Sequence, residues 1–234
     1  MYIVDRSLQF VRGFLLSYGP SNIKKHFWDK EYSEEKWSFA YNTVGDCVYA
    51  HLERHTANGS ILDIGCGSGN TATELAATAY QSYLGVDISE TALAKARRRS
   101  EECGRHDKNR FVCADFLTYV PTEQFDVILF RESMYHVPLG KVKATLDRYS
   151  VYLKDGGVFI VRLFASSSDR TTDKYRPTAM LRIMEAGFDV VEKCRYEVPG
   201  RPTVVVFRPR NAVAEELSFD ARRKREASPA VSHS

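Results

Sequence analysis

The 234-residue chain lacks what most broad classes require. No apolar run approaches the ~20 residues of a membrane-spanning helix. The opening residues, Met1-Tyr2-Ile3-Val4-Asp5-Arg6, hold no basic stretch followed by an apolar block. No secretory signal is therefore expected. Five cysteines (Cys47, Cys66, Cys103, Cys113 and Cys194) are scattered, with no Cys-x-x-Cys. That argues against a disulfide framework or a structural zinc finger, and a reducing, cytoplasmic setting is expected. No linear cluster of His, Cys and carboxylate has ligand spacing, so no metal is expected. Nor is there a global excess of one charge. The net charge is +3, and four positives sit together at Arg222-Arg223-Lys224-Arg225, so the rest of the chain is near neutral. With no interleaving of basic and aromatic residues, nucleic acid is not an expected partner.

What is present is one globular domain's worth of apolar sequence, 44% of the chain, in an alternating order. Strands are expected at 60–64, 82–88, 110–114, 125–130 and 158–163. Helices are expected at 71–80, 90–103, 141–153 and 180–186. Short apolar runs alternating with helical patterns are the signature of βαβ units around a parallel sheet. Segments 189–197 and 203–208, split by Val198-Pro199-Gly200-Arg201-Pro202, read as an antiparallel hairpin at a sheet edge. Residues 1–59 are aromatic and charged, with a helix expected over 42–55 and Val44, Val48 and Leu52 on one side. They are expected to form a helical cap, followed by the α/β domain at 60–209 and a basic tail at 210–234.

The first strand runs into Ile61-Leu62-Asp63-Ile64-Gly65-Cys66-Gly67-Ser68-Gly69-Asn70. Glycines after a strand let the backbone turn sharply and let a ligand approach without Cβ clashes. A dinucleotide fingerprint would place a glycine where Asn70 stands. The second strand ends in Asp87, within Leu84-Gly85-Val86-Asp87-Ile88-Ser89, and the third leads into Cys113-Ala114-Asp115-Phe116.

This set, with the segment 125–136 and the turn Leu153-Lys154-Asp155-Gly156-Gly157, resembles the class I S-adenosylmethionine-dependent methyltransferases over residues 60–208. The resemblance implies a three-layer αβα sheet of seven strands, order 3-2-1-4-5-7-6, with the last strand antiparallel. It implies S-adenosyl-L-methionine as cofactor. Asp87 would take the ribose hydroxyls, since a carboxylate is an acceptor suited to a vicinal diol. Asp115 would take the adenine amino group, with Ile88 and Phe116 flanking the ring. Asp63, Gly65, Cys66, Gly67, Asn70 and Arg131 complete the expected cofactor set.

The acceptor is expected to lie over Arg131-Glu132-Ser133-Met134-Tyr135-His136-Val137-Pro138, because ligands of doubly wound sheets bind beyond the carboxyl ends of strands. The candidate catalytic residues are Glu132, Tyr135 and His136. The loop lacks the Asn/Asp-Pro-Pro-Tyr/Phe motif of enzymes that methylate base or glutamine amino groups. Together with the short polar stretch 164–175 after the fifth strand, this points to transfer to nitrogen or oxygen of a small molecule, in the manner of secondary metabolism, by a monomer or homodimer. The alternative is a cyclase or lyase that consumes the cofactor and releases methylthioadenosine, like an azetidine-2-carboxylate synthase. Here the cofactor's own amine would attack its Cγ, with Tyr135 or Tyr175 facing the cation.

Overall fold

A computed structural model describes residues 13–34, 43–164, 177–198 and 201–210. Seven strands form one sheet in the order β3-β2-β1-β4-β5-β7-β6. They are β1 (Ser60–Ile64), β2 (Ser82–Asp87), β3 (Asn109–Cys113), β4 (Phe125–Arg131), β5 (Leu153–Leu163), β6 (Asp189–Arg195) and β7 (Thr203–Arg208). The first five pair in parallel, and β7 runs antiparallel between β5 and β6. The strand order and antiparallel last strand are those implied by the resemblance.

The helices are α1, whose described part is 13–18, α2 (Ser21–Ser33), α3 (Val48–Thr56), α4 (Asn70–Glu74), α5 (Glu90–Glu102), α6 (Val142–Ser150) and α7 (Pro177–Gly187). The central strands are apolar on both faces, so two cores form. Leu62, Ile64, Ile128 and Phe130 pack with Leu146, Tyr149 and Met184 of α6 and α7 on one side. Ile61, Val127, Leu129 and Ile160 pack with Val48 and Leu52 of α3 on the other. Ser89 caps α5 by accepting from the Ala92 amide.

Several boundaries differ from the expected ones. The helix expected over 71–80 ends at Glu74, where Leu75 turns extended. The freed carbonyls are taken by side chains: Tyr80 Oη and Asn109 Nδ2 donate to the Ala72 oxygen, and Arg105 Nη1 donates to the Leu75 oxygen. A helix end so satisfied has no need of another turn. The helix expected over 42–55 starts at Val48, because Asp46 accepts the Val48 amide through Oδ1 and closes a turn there. Val44 consequently lies outside it, 79% exposed. Leu153 belongs to β5 rather than to α6, and the sheet accommodates Gly156-Gly157 with a register shift opposite Phe125 and Val127. Trp37, Phe39, Tyr41, Tyr175 and the tail with Arg222-Arg223-Lys224-Arg225 lie outside the described residues.

Candidate active site

The carboxyl end of β1 turns through Gly65, Gly67 and Gly69, at φ of 74°, 55° and 76°. These are left-handed conformations that side chains rarely adopt. Space as well as conformation demands glycine here. A Cβ on Gly65 would lie 2.5 Å from Ser133 Cβ, and one on Gly67 would lie 2.6 Å from Tyr32 Oη. The turn is thus flanked by the loop after β4 on one side and by α2 on the other.

The carboxylates at this edge are buried and only partly used by the protein. Asp87 accepts the Ser89 amide through Oδ1 and the Gly67 amide through Oδ2, at 2.9 Å each. A lone pair remains on each oxygen, the acceptor pattern a ribose diol needs. Burial raises the Asp87 carboxyl above its ordinary value, against the amides that donate to it. Asp63 accepts Tyr83 Oη at 2.7 Å through Oδ2, while its buried Oδ1 has no partner. Burial pushes its carboxyl up to about 6, against the stabilising hydrogen bond from Tyr83. Two incompletely satisfied carboxylates around a glycine turn fit a cationic, diol-bearing ligand such as S-adenosylmethionine.

Asp115 has protein partners of its own. Its Oδ1 accepts the Leu117 amide, and its Oδ2 accepts both Ser21 Oγ at 2.9 Å and Lys24 Nζ at 3.1 Å. Burial would raise this carboxyl, but the amide, Lys24 and Ser21 outweigh it and hold it below the ordinary value. One lone pair on Oδ1 is left for an adenine amino group. Helix α2 therefore lies across this end of the cleft. It is pinned further by Asp29, which accepts Ser89 Oγ and the Thr91 amide, and by Lys95 Nζ donating to the Tyr32 carbonyl. Ile88 and Phe116 are half-buried near Asp115, and the Phe116 ring stands edge-on to Phe130 at 6.5 Å.

Three other expected cofactor residues have structural partners. Asn70 accepts Ser68 Oγ and Arg99 Nη1 and donates to Thr43 Oγ1, which braces the segment before α3 against the glycine turn. The Cys66 thiol is buried, which raises its pKa well above the ordinary value, and it packs against Gly85. It is space-filling rather than reactive. Arg131 is fastened to Asp46, Nη2 to Oδ2 at 2.8 Å, with its guanidinium 5.4 Å from the centre of the Tyr49 ring.

That last contact opens onto a network the linear sequence does not display. Asp46 also accepts Arg162 Nε at 2.9 Å, and Arg162 Nη1 pairs with Glu132. Burial raises the Glu132 carboxyl, opposed by Arg162. Its backbone has φ of 57°, a left-handed conformation for a non-glycine residue at the turn after β4. Tyr135 Oη lies on the backbone of Phe164, and burial raises its pKa, strengthened by the nearby Glu132 charge. Tyr135 is therefore a neutral donor or acceptor rather than a base. The His136 ring stands edge-on to Trp28 of α2 at 5.1 Å. The loop after β4 thus carries Glu132, Tyr135 and His136, meets the glycine turn through Ser133 and meets α2 through His136.

Asp46, Arg162 and Lys24 have no role in the sequence reading, and Trp28 enters it only among the aromatics of the cap. For Arg162 a signal exists: it is the lone charge inside the apolar run Val158-Phe159-Ile160-Val161-Arg162-Leu163, and a charge in a core strand requires a partner. The others meet their partners across 85 to 116 residues (Asp46) and 91 residues (Lys24).

A doubly wound sheet in this order, with a glycine turn after β1 and an acidic residue ending β2, defines a class I methyltransferase architecture. Residues 61–157 match the family described as a methyltransferase domain. Over 129 residues it is 30% identical to the sterol 24-C-methyltransferase ERG6B of Gibberella zeae, covering 52% of this chain and 33% of that protein. Over 158 residues it is 30% identical to the ubiquinone biosynthesis O-methyltransferase of Idiomarina loihiensis, covering 66% of this chain and 60% of that protein. The chain therefore spans about a third of the sterol enzyme's length. In fold it is similar to the N-methyltransferase NodS of Bradyrhizobium japonicum WM9 in complex with S-adenosyl-L-homocysteine. That likeness has a TM-score of 0.62 at 19% identity and covers 80% of this chain and 98% of NodS.

Proposed function

We propose that this protein transfers the methyl group of S-adenosylmethionine to a nitrogen or oxygen of a small-molecule acceptor seated between α2 and residues 131–136. The observation that carries this reading is the contact of Gly65 with Ser133. It sets the cofactor turn directly against the loop bearing Glu132, Tyr135 and His136. Asp87 would hold the ribose, Asp63 the cationic end, and Asp115 the adenine through its remaining lone pair. We read residues 1–59 as the cap of the 60–209 domain, which α2 supports by reaching Asp115, Ser89 and His136.

The bound cofactor supplies an electrophilic methyl on a sulfonium. The chain's own residues position the acceptor and accept its proton. In-line placement at about 3 Å supplies much of the acceleration in such a transfer. Glu132, anchored by Arg162, orients a donor N–H or O–H of the acceptor. His136, with its ring set by Trp28, is the group placed to take the proton as the new bond forms. The O-methyltransferase relative is compatible with this acceptor class, and the sterol relatives broaden the family's chemistry to carbon.

The test is product analysis after incubating the protein with S-adenosylmethionine and a metabolite extract. S-adenosylhomocysteine together with a product heavier by one methylene supports the reading. Methylthioadenosine formed without any acceptor, above spontaneous decay, establishes cofactor cyclisation or lysis instead.

A further inference from the structure

Away from the glycine turn, α3 and the edge strand β6 bring together a group of side chains that the proposed transfer does not use. His51 and His55 stand one helical turn apart on α3 and face β6, where Glu192 and Cys194 occupy alternate positions on one face. Glu192 Oε2 lies 3.1 Å from His51 Nδ1 and 3.4 Å from His55 Nε2, and Cys194 Sγ lies 3.5 Å from Glu192 Oε1. One ligand atom each from His51, Glu192 and Cys194 falls within 4.8 Å of the others. Donors around a tetrahedral metal with bonds of about 2.0–2.3 Å stand roughly 3.3–3.8 Å apart. His51, Glu192 and Cys194 are therefore already near the spacing a metal would impose, and His55 reaches the same Glu192 oxygen from the next turn of α3.

We infer that His51, His55, Glu192 and Cys194 form a structural site for a divalent transition metal of the zinc class, joining α3 to the sheet edge. The donor set selects the ion: imidazole, thiolate and one carboxylate suit zinc or cobalt, whereas calcium and magnesium take oxygen ligands. Charge also balances, because two neutral imidazoles, one carboxylate and one thiolate neutralise a divalent cation. Four protein ligands close the site to substrate, as structural zinc sites do.

The surroundings hold the ligands in coordinating form. His51 Nε2 lies 2.6 Å from Tyr196 Oη, so an Nε2–H donated there leaves the Nδ1 lone pair turned toward the site. Arg54 Nη1 holds Glu192 Oε1 at 2.8 Å, which leaves Oε2 for the metal. Without metal the same positions are bridged by protons between imidazole and carboxylate. Binding displaces these protons and the thiol proton, so metal uptake releases protons and strengthens as pH rises. The inference is independent of the methyl acceptor and of cofactor binding.

The test is titration of the full chain, stripped with chelator, with Co²⁺ alone, followed by absorbance. The expected result is saturation at one Co²⁺ per chain, with a thiolate-to-metal band in the near ultraviolet and intense visible bands of tetrahedral cobalt. Zn²⁺ should displace both. Cys194→Ser should abolish the near-ultraviolet band, and His55→Ala should weaken binding at least tenfold. Circular dichroism of each variant without metal checks that it folds. Absence of a saturable spectrum, or an ultraviolet band unchanged in folded Cys194→Ser, would overturn the site and leave an ion cluster only.

Discussion

The two sides of the cleft are built by opposite means. On the cofactor side, Gly65, Gly67, Asp63 and Asp87 lie within a stretch spanning β1 to the end of β2, and backbone conformation does most of the shaping. On the side proposed for the acceptor, Glu132 pairs with Arg162, Arg162 with Asp46, and His136 with Trp28. These contacts cross 30, 116 and 108 residues of chain. A site made of local turns needs a few glycines and carboxylates in fixed order. A site made of long-range ion pairs needs the whole fold before any member has its partner.

The sharpest way to break this comparison is Asp46→Asn. Asp46 is 5% exposed and serves two buried guanidinium groups. Removing one partner of such a network leaves uncompensated charge, costing about 3–5 kcal/mol of stability. Chemical denaturation should show that loss. Glu132 should also lose its anchor, so acceptor turnover should fall further than cofactor affinity.

A second test uses pH on the cofactor side. The Asp63 carboxyl is pushed up to about 6 in the folded chain from an ordinary 3.8. Between those values the folded state binds more protons than the unfolded state, so this group's contribution is full below about pH 4 and is lost as pH rises through 6. The loss is of order 3 kcal/mol. Unfolding free energies measured from pH 4 to pH 7 should decline more steeply in the wild type than in Asp63→Asn. Parallel curves would show that Asp63 is not held in its buried state.

The smallest effect is expected at Trp28. Its edge-on contact with His136 contributes about 0.5–1.5 kcal/mol. Trp28→Ala should therefore lower kcat/KM for the acceptor by up to roughly tenfold while leaving the cofactor Kd unchanged. An equal loss in cofactor affinity would mean that α2 serves the cofactor side instead.

Much of the fold can be read from the residues, and the reason is periodicity. The strand limits at Ser60–Ile64 and Thr203–Arg208 coincide with apolar runs bounded by glycine, proline or charge. Where reading fails, a tertiary contact has overridden local pattern: Arg105, Tyr80 and Asn109 end α4 early, and Asp46 delays α3. In the site, the positions of Gly65, Gly67, Asp63 and Asp87 follow from local spacing. The engagement of Asp115 by Lys24 does not, because nothing in an isolated α2 shows which carboxylate it will meet. The pairing of α3 with β6 is similar. His51 and His55 lie one helical turn apart and Glu192 and Cys194 alternate on a strand, but only the fold places the two pairs together.

The most direct measurement of the central claim is calorimetric titration of S-adenosylhomocysteine into the wild type and Asp87→Ala. Asp87 is assigned two charge-assisted hydrogen bonds to the ribose diol. Their loss should weaken binding by about 1.5–3 kcal/mol, roughly 10- to 100-fold in Kd. An unchanged Kd in a folded Asp87→Ala protein would contradict the placement of the cofactor at the carboxyl ends of β1 and β2.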